Sequence, residues 1–135
     1  CGITAIFNIH SSAADLRQQA LKMSKRIRTA AGLDGIYQGK TAILAHERLS
    51  IVDPASGGQP LRSKDGKLIL TVNGEIYNHR EPSGQLKDEY EFQTGSDCEV
   101  ILALYRKIRR GMRGKTLSGI FGFALYDEAN DCYHD

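Results

Sequence analysis

The sequence predicts an α+β domain built on antiparallel strands, and three observations lead there. Strand-like segments arrive in runs, not one by one between helices, which disfavours a doubly wound parallel sheet. Two segments repeat apolar residues at helical spacing, each behind a serine placed to cap a helix. The chain has 135 residues, 41% hydrophobic and 25% charged, which is enough length and an ordinary enough composition to bury one core.

Residues 2–8 read as a short buried strand through Ile3, Ala5, Ile6 and Phe7. Ser12-x-x-Asp15 fits an acidic capping box and opens a helix. Leu16, Ala20, Met23 and Ile27 recur on one face of that helix, and Gly32 is its expected stop. Two strands are expected around residues 42–46 and 49–52, the second ended by Asp53-Pro54, and residues 55–60 form a loop. Asn73-Gly74 lies between two apolar runs, a strong hairpin signal, so residues 67–72 and 74–78 read as separate strands. Ser83-Gly84 marks another turn. Ser96-x-x-Glu99 is a second capping box, before a helix with Val100, Ile101, Leu104 and Ile108 on its apolar face. Residues 119–127 alternate two apolar faces and should be buried on both sides. The expected total is six or seven strands and two or three helices.

Eighteen basic against sixteen acidic residues give a net charge of +2, a balance that demands neither a nucleic-acid nor a membrane partner. No apolar run reaches the length of a membrane span, and no basic-then-apolar leader marks the chain for export. Cys1, Cys98 and Cys132 are odd in number and widely spaced, so neither a disulfide framework nor a Cys-x-x-Cys metal site is expected, and a reducing cytoplasm is the simplest setting. The four histidines include no i, i+4 pair, and no metal ligand set is expected. Residues 106–115 hold six basic residues in ten without interleaved aromatics. They read as a solvated basic surface before an RNA-binding one.

Cys1 is the sharpest chemical candidate. The chain begins with Cys and not Met; if Cys1 is the true terminus it carries both a thiol and an α-amine, and an α-amine titrates near pH 7.7–8.0 and so serves as a base at neutral pH. The plainer alternative is a small buried hydrophobe. Asn73 and Gly74 can offer a side-chain amide and a backbone N–H to an oxyanion; the plainer alternative is a type I′ turn. Arg48 can clamp a carboxylate through two parallel bonds, and Asp97, in the first turn of a capped helix, can hold an ammonium. Together they suit the two ends of an α-amino acid. A surface ion pair and a helix-dipole carboxylate are the alternatives for each.

Taken together, Cys1-Gly2-Ile3, LAHERLSIVDPASGGQPL (44–61), LTVNGEIYNH (70–79), YEFQTGSDCEVILALY (90–105) and SGIFGFALYD (118–127) resemble the N-terminal glutaminase domain of class-II glutamine amidotransferases. The HERLSIVD and NGEIYNH forms favour the glutamine-hydrolysing asparagine synthetase branch. The resemblance implies an Ntn-hydrolase αββα sandwich of antiparallel sheets, incomplete at the C-terminus, with residues 1–135 a partial glutaminase domain and the synthetase domain absent. It implies Cys1 as nucleophile with its own α-amine as base, and Asn73 and Gly74 as the oxyanion hole. Arg48 would take the glutamine α-carboxylate, Asp97 with Glu75 the α-ammonium, and the segment holding Leu49, Ile51 and Val52 would line the pocket. The implied reaction is hydrolysis of L-glutamine through a thioester to glutamate and ammonia, the ammonia passing to a C-terminal domain that amidates aspartate. No cofactor is implied for this domain; ATP and magnesium belong to the synthetase domain.

Three segments depart from the family pattern. Residues 26–35 replace an Arg-His-Arg-Gly-Pro-Asp type motif, residues 107–119 are basic where the family is acidic and apolar, and Pro82 with Gly84 should disrupt a helix expected at residues 80–88. A degenerate homologue, acting as a binding or regulatory module or without function, is the alternative these departures raise.

Overall fold

The computed structural model describes residues 1–27, 32–48, 58–109 and 117–135. Among them run seven strands and three α-helices: β1 Gly2–Ile6, α1 Ala13–Ile27, β2 Leu33–Gln38, β3 Ile43–Glu47, β4 Leu61–Arg62, β5 Leu68–Ile76, α2 Arg80–Leu86, α3 Val100–Arg109, β6 Gly119–Asp127 and β7 Cys132–His134. A single 3₁₀ turn, Asp97–Glu99, leads into α3. The strands form two antiparallel sheets, ordered β1-β3-β2 and β4-β5-β6-β7.

Strand alternation decides which side chains fill each layer. Ile43 meets Ala20, Leu16 and Ile9 on one face of the first sheet, under α1. Ala42 and Leu44, on the other face, meet Ile69, Ala124 and Tyr126 of the second sheet. Leu68, Leu70, Val72 and Ile76 turn the opposite way and pack with Leu86 of α2 and Val100, Ile101 and Leu104 of α3. The result is an α+β sandwich of four layers, helix, sheet, sheet and helices, as expected. Phe7 closes one end of the interlayer, stacked on Tyr133 with ring centroids 4.4 Å apart.

Several local expectations are corrected. Asn73-Gly74 is not a hairpin turn: β5 runs straight through it, paired with β6 from Leu68↔Asp127 to Ile76↔Gly119. Nine consecutive pairs outweigh the local turn preference. Ser83-Gly84 is not a turn either, and Pro82 does not break the helix at this point. Arg80–Leu86 is helical with His79 at its N-cap, so Pro82 stands in the first turn, where its missing N–H has no intrahelical partner to lose. Ser96 caps by accepting from the Cys98 N–H at 3.3 Å, and the Glu99 carboxylate turns to other donors instead of closing the box. The strand of residues 119–127 is buried on both faces only in its second half; Ile120 is 76% exposed. β2 stands where no strand was expected, between α1 and β3. The expected strand at 49–52 lies outside the described residues, as does most of the basic stretch. Within that stretch Arg106 pairs with Asp65, and Lys107 lies 3.7 Å from Glu89, so these two cations are engaged on the protein's own surface. No helix among the described residues is long and apolar enough to cross a membrane.

Candidate active site

The antiparallel register brings the two ends of the first sheet's site together. Gly2 pairs with Glu47, so Cys1 and Arg48 lie one step further along neighbouring strands. Cys1 is exposed and in phase with Ile3 and Ala5, the face turned toward the second sheet, where Ala5 packs. Gly2 faces α1 instead; a Cβ there would come within 2.7 Å of Ile27 Cδ1. Asn73, in phase with Ile69 and Thr71, stands on the face of β5 turned toward the first sheet. Cys1 and Asn73 therefore open onto the same interlayer.

His46 shows how near these parts lie. It is buried, in phase with Leu44, with Nδ1 3.1 Å from Asp34 Oδ2. Burial holds its imidazole below the ordinary range; hydrogen bonding and charge from Asp34 oppose this, the Val72 backbone lies close enough to oppose it too, and the α-amine of Cys1 adds to the lowering. The terminal amine, His46 and Val72, the residue before Asn73, thus share one electrostatic neighbourhood. His46 Nε2 and Thr71 Oγ1 are buried without a hydrogen-bond partner among the described residues, both on this inter-sheet face.

A titration consequence follows. The unfolded chain protonates His46 near pH 6.5, while the folded chain does so only at lower pH. Its contribution to stability is complete above about pH 6.5 and is lost as pH falls through the depressed native value. Melting temperatures measured from pH 7.5 to 5 are expected to fall, and less steeply in His46→Gln; equal slopes in the two proteins would refute the assignment.

The backbone edge of β5 is the second part of the site. Residues 68, 72 and 76 all present N–H groups to the edge that β6 does not occupy. There Leu68 donates to Ser63 Oγ at 3.0 Å, Val72 to Gln59 Oε1 at 2.6 Å and Ile76 to Asp97 Oδ2 at 2.7 Å. Gly74 is in phase with them, between the last two. Its φ is +138°, and a Cβ there would run into the Ile120 carbonyl and the backbone of Phe121. Only glycine fits. The Cys98 thiol lies 3.9 Å from the Gly74 carbonyl oxygen. It is buried, and desolvation followed by the Asp97 charge pushes its pKa up to about 12, so it stays a protonated, inert thiol at neutral pH.

Asp97 and Glu75 line one open cleft of about 450 Å³ with Ile76, Tyr77, His79, Gly95 and Ser96. The two carboxylates proposed from sequence for an ammonium therefore meet. Glu99, read from sequence as a cap, instead organises the wall of this cleft. Fully buried, it accepts from the Gln93 and Thr94 N–H groups at 2.7 Å, from Thr94 Oγ1 at 2.7 Å and from Tyr90 OH at 3.3 Å. Arg48 directs a guanidinium nitrogen to Asp34 Oδ1 at 3.9 Å, and its backbone N–H donates to the Gly32 carbonyl at 3.2 Å. Leu49, Ile51 and Val52 lie outside the described residues. Among the described residues no group of His, Cys, Asp and Glu is arranged to hold a metal ion.

Comparison with known proteins makes explicit the class to which this four-layer antiparallel sandwich belongs. A family model described as a glutamine amidotransferase domain matches residues 1–134. The chain belongs to that family. It is 49% identical over 135 residues to asparagine synthetase B [glutamine-hydrolyzing] of Escherichia coli (strain K12), covering 98% of this chain and 24% of that protein. It is 47% identical to the probable asparagine synthetase [glutamine-hydrolyzing] of Schizosaccharomyces pombe (strain 972 / ATCC 24843), covering 97% and 24%. Against asparagine synthetase [glutamine-hydrolyzing] 1 of Arabidopsis thaliana the identity is 42%, covering 98% and 23%. The chain thus spans about a quarter of the length of these relatives.

Proposed function

We propose that this chain is the glutaminase half of a glutamine-dependent asparagine synthetase. The observation that carries the reading is that strand phase turns Cys1 and Asn73 toward the same interlayer, where the Cys1 α-amine acts on the His46 imidazole. The Cys1 sulfur attacks the side-chain carbonyl carbon of L-glutamine while the thiol proton passes to the α-amine. The carbonyl oxygen becomes an oxyanion, taken by the Asn73 side-chain amide and the Gly74 N–H. The protonated amine then gives its proton to the departing nitrogen, ammonia leaves, and a thioester remains. Water, activated by the same amine, attacks that thioester, releasing glutamate and restoring the thiol. Arg48 holds the substrate carboxylate and Asp97 with Glu75 its ammonium.

The whole protein's reaction extends this reading. The ammonia serves a C-terminal synthetase domain that uses ATP and magnesium to amidate aspartate. Three cysteines without a disulfide suit a reducing compartment, and the cytoplasm is the proposed location. A second reading, a chain that binds glutamine without hydrolysing it, draws on the Asp34 carboxylate near Arg48, which competes with a substrate carboxylate for the guanidinium. Incubation with glutamine separates the two. The first reading expects glutamate and ammonia in equal amounts; calorimetric binding without either product would replace it with the second.

A further inference from the structure

The proposed chemistry divides its parts between two sheets, Cys1 and Arg48 on the first and Asn73 and Gly74 on the second, so something must hold one sheet in register with the other. Three observations converge on Gln59. Its backbone N–H donates to Asp34 Oδ2 of β2 at 2.8 Å. Gly35 approaches its backbone so closely that a Cβ on Gly35 would run into the Gln59 carbonyl. Its side-chain amide grips one residue of β5 twice, accepting from the Val72 N–H at 2.6 Å and donating to the Val72 carbonyl at 3.0 Å.

The position of this grip is specific. β4 pairs with β5 only through Leu61↔Leu70 and Arg62↔Ile69. The next residue of β4 in hydrogen-bonding phase with β5 would be Gln59, opposite Val72; its backbone N–H is turned to Asp34, and its side chain supplies a donor and an acceptor to Val72 in place of the backbone. Its target is the residue before Asn73. The same strand edge is held again at Ile76 by Asp97, so Gly74 stands between two clamps, one from each side. Asp34 also bonds His46 and lies beside Arg48, which joins the clamp to the strand that carries the expected substrate carboxylate site.

We propose that Gln59 is a positioning residue, locked by Asp34, whose side-chain amide sets the Val72–Gly74 edge against the sheet that carries Cys1. This rests on the glutaminase reading above. Gln59 touches no reacting atom; it acts through the aim of the Asn73 amide and the Gly74 N–H, and small misplacements of such donors are costly.

The test is a double-mutant cycle of Gln59→Ala and Asn73→Ala, read by glutaminase kinetics and by amide hydrogen exchange at Val72. Gln59→Ala is expected to speed Val72 exchange about tenfold or more. It should lower kcat by about 10- to 100-fold with KM within about threefold. In the Asn73→Ala background the same change should cost little further. An equal loss in both backgrounds, or an unchanged Val72 exchange rate, would overturn the proposal. Where Gln59→Ala fails to fold, Gln59→Glu takes its place: it keeps the acceptor for the Val72 N–H, loses the donor to the Val72 carbonyl, and should fall between parent and Ala. If the parent shows no turnover that depends on Cys1, the glutaminase reading fails by itself, and Val72 exchange still decides whether Gln59 holds the strand.

Discussion

Cys1→Ala is expected to abolish glutamine hydrolysis, lowering kcat by about 10⁴-fold or more, while the folded state survives. The thiol is the only group in the proposed sequence of steps that forms a bond to the substrate. Without it no thioester arises, and the oxyanion donors have no tetrahedral oxygen to receive. Stability should change by no more than about 0.5 kcal/mol, because Cys1 is exposed at the start of β1 and belongs to none of the buried clusters. Blocking the α-amine by acetylation should also lower kcat with the thiol intact, since the base is then gone. Glutamate release measured beside thermal melts checks all of this. Turnover retained in Cys1→Ala would remove the nucleophile from the account.

Gly74→Ala is expected to cost about 3 kcal/mol or more of stability and to remove activity in whatever fraction still folds. The loss has two sources. The backbone at φ +138° is one that a side chain strains, and the new methyl group has no room against the Ile120 carbonyl and the Phe121 backbone. Both sources lie within the β5–β6 ladder, so relief requires the strands to part beside the proposed oxyanion donors. Denaturant unfolding measures the effect. A variant within about 0.5 kcal/mol of the parent would show that the close approach at Gly74 is not maintained in solution.

Much of the fold was legible because burial repeats with the period of the element that makes it. The helical spacing of Leu16 and Ala20, and of Val100, Ile101 and Leu104, marked the helix faces that pack on each sheet. The Asn73-Gly74 turn was misread, although its correction was also in the sequence. Leu68, Leu70, Val72 and Ile76 keep one alternation across the pair, and a two-residue hairpin has no need to preserve that phase. Pro82 misled because a proline's effect depends on its distance from the helix start, and that start at His79 was not marked by a capping side chain.

The site was legible as residue types and not as geometry. Cys1, Arg48, Asn73, Gly74 and Asp97 were proposed from their chemistry and Glu75 from the family resemblance, but which of them share a face, an edge or a cleft depends on the pairing of distant strands. Glu99 and Gln59 were missed as organisers for the same reason. The Glu99 carboxylate looked like half of a capping box, and its partners at Gln93 and Thr94 follow from how the chain folds back before α3. Gln59 sat in a glycine-rich loop, and nothing in the local sequence indicates that its amide substitutes for a strand partner of Val72.

The central claim is that the first residue's sulfur becomes covalently joined to the substrate. Mixing the chain with glutamine, quenching in acid within the first turnover and weighing the intact protein tests it directly. The account predicts a mass gain of one glutamyl group, glutamine less ammonia, located on Cys1 and absent from Cys1→Ala. Glutamate formation without that adduct in a quench series covering the turnover, or the same adduct in the Ala variant, would contradict it.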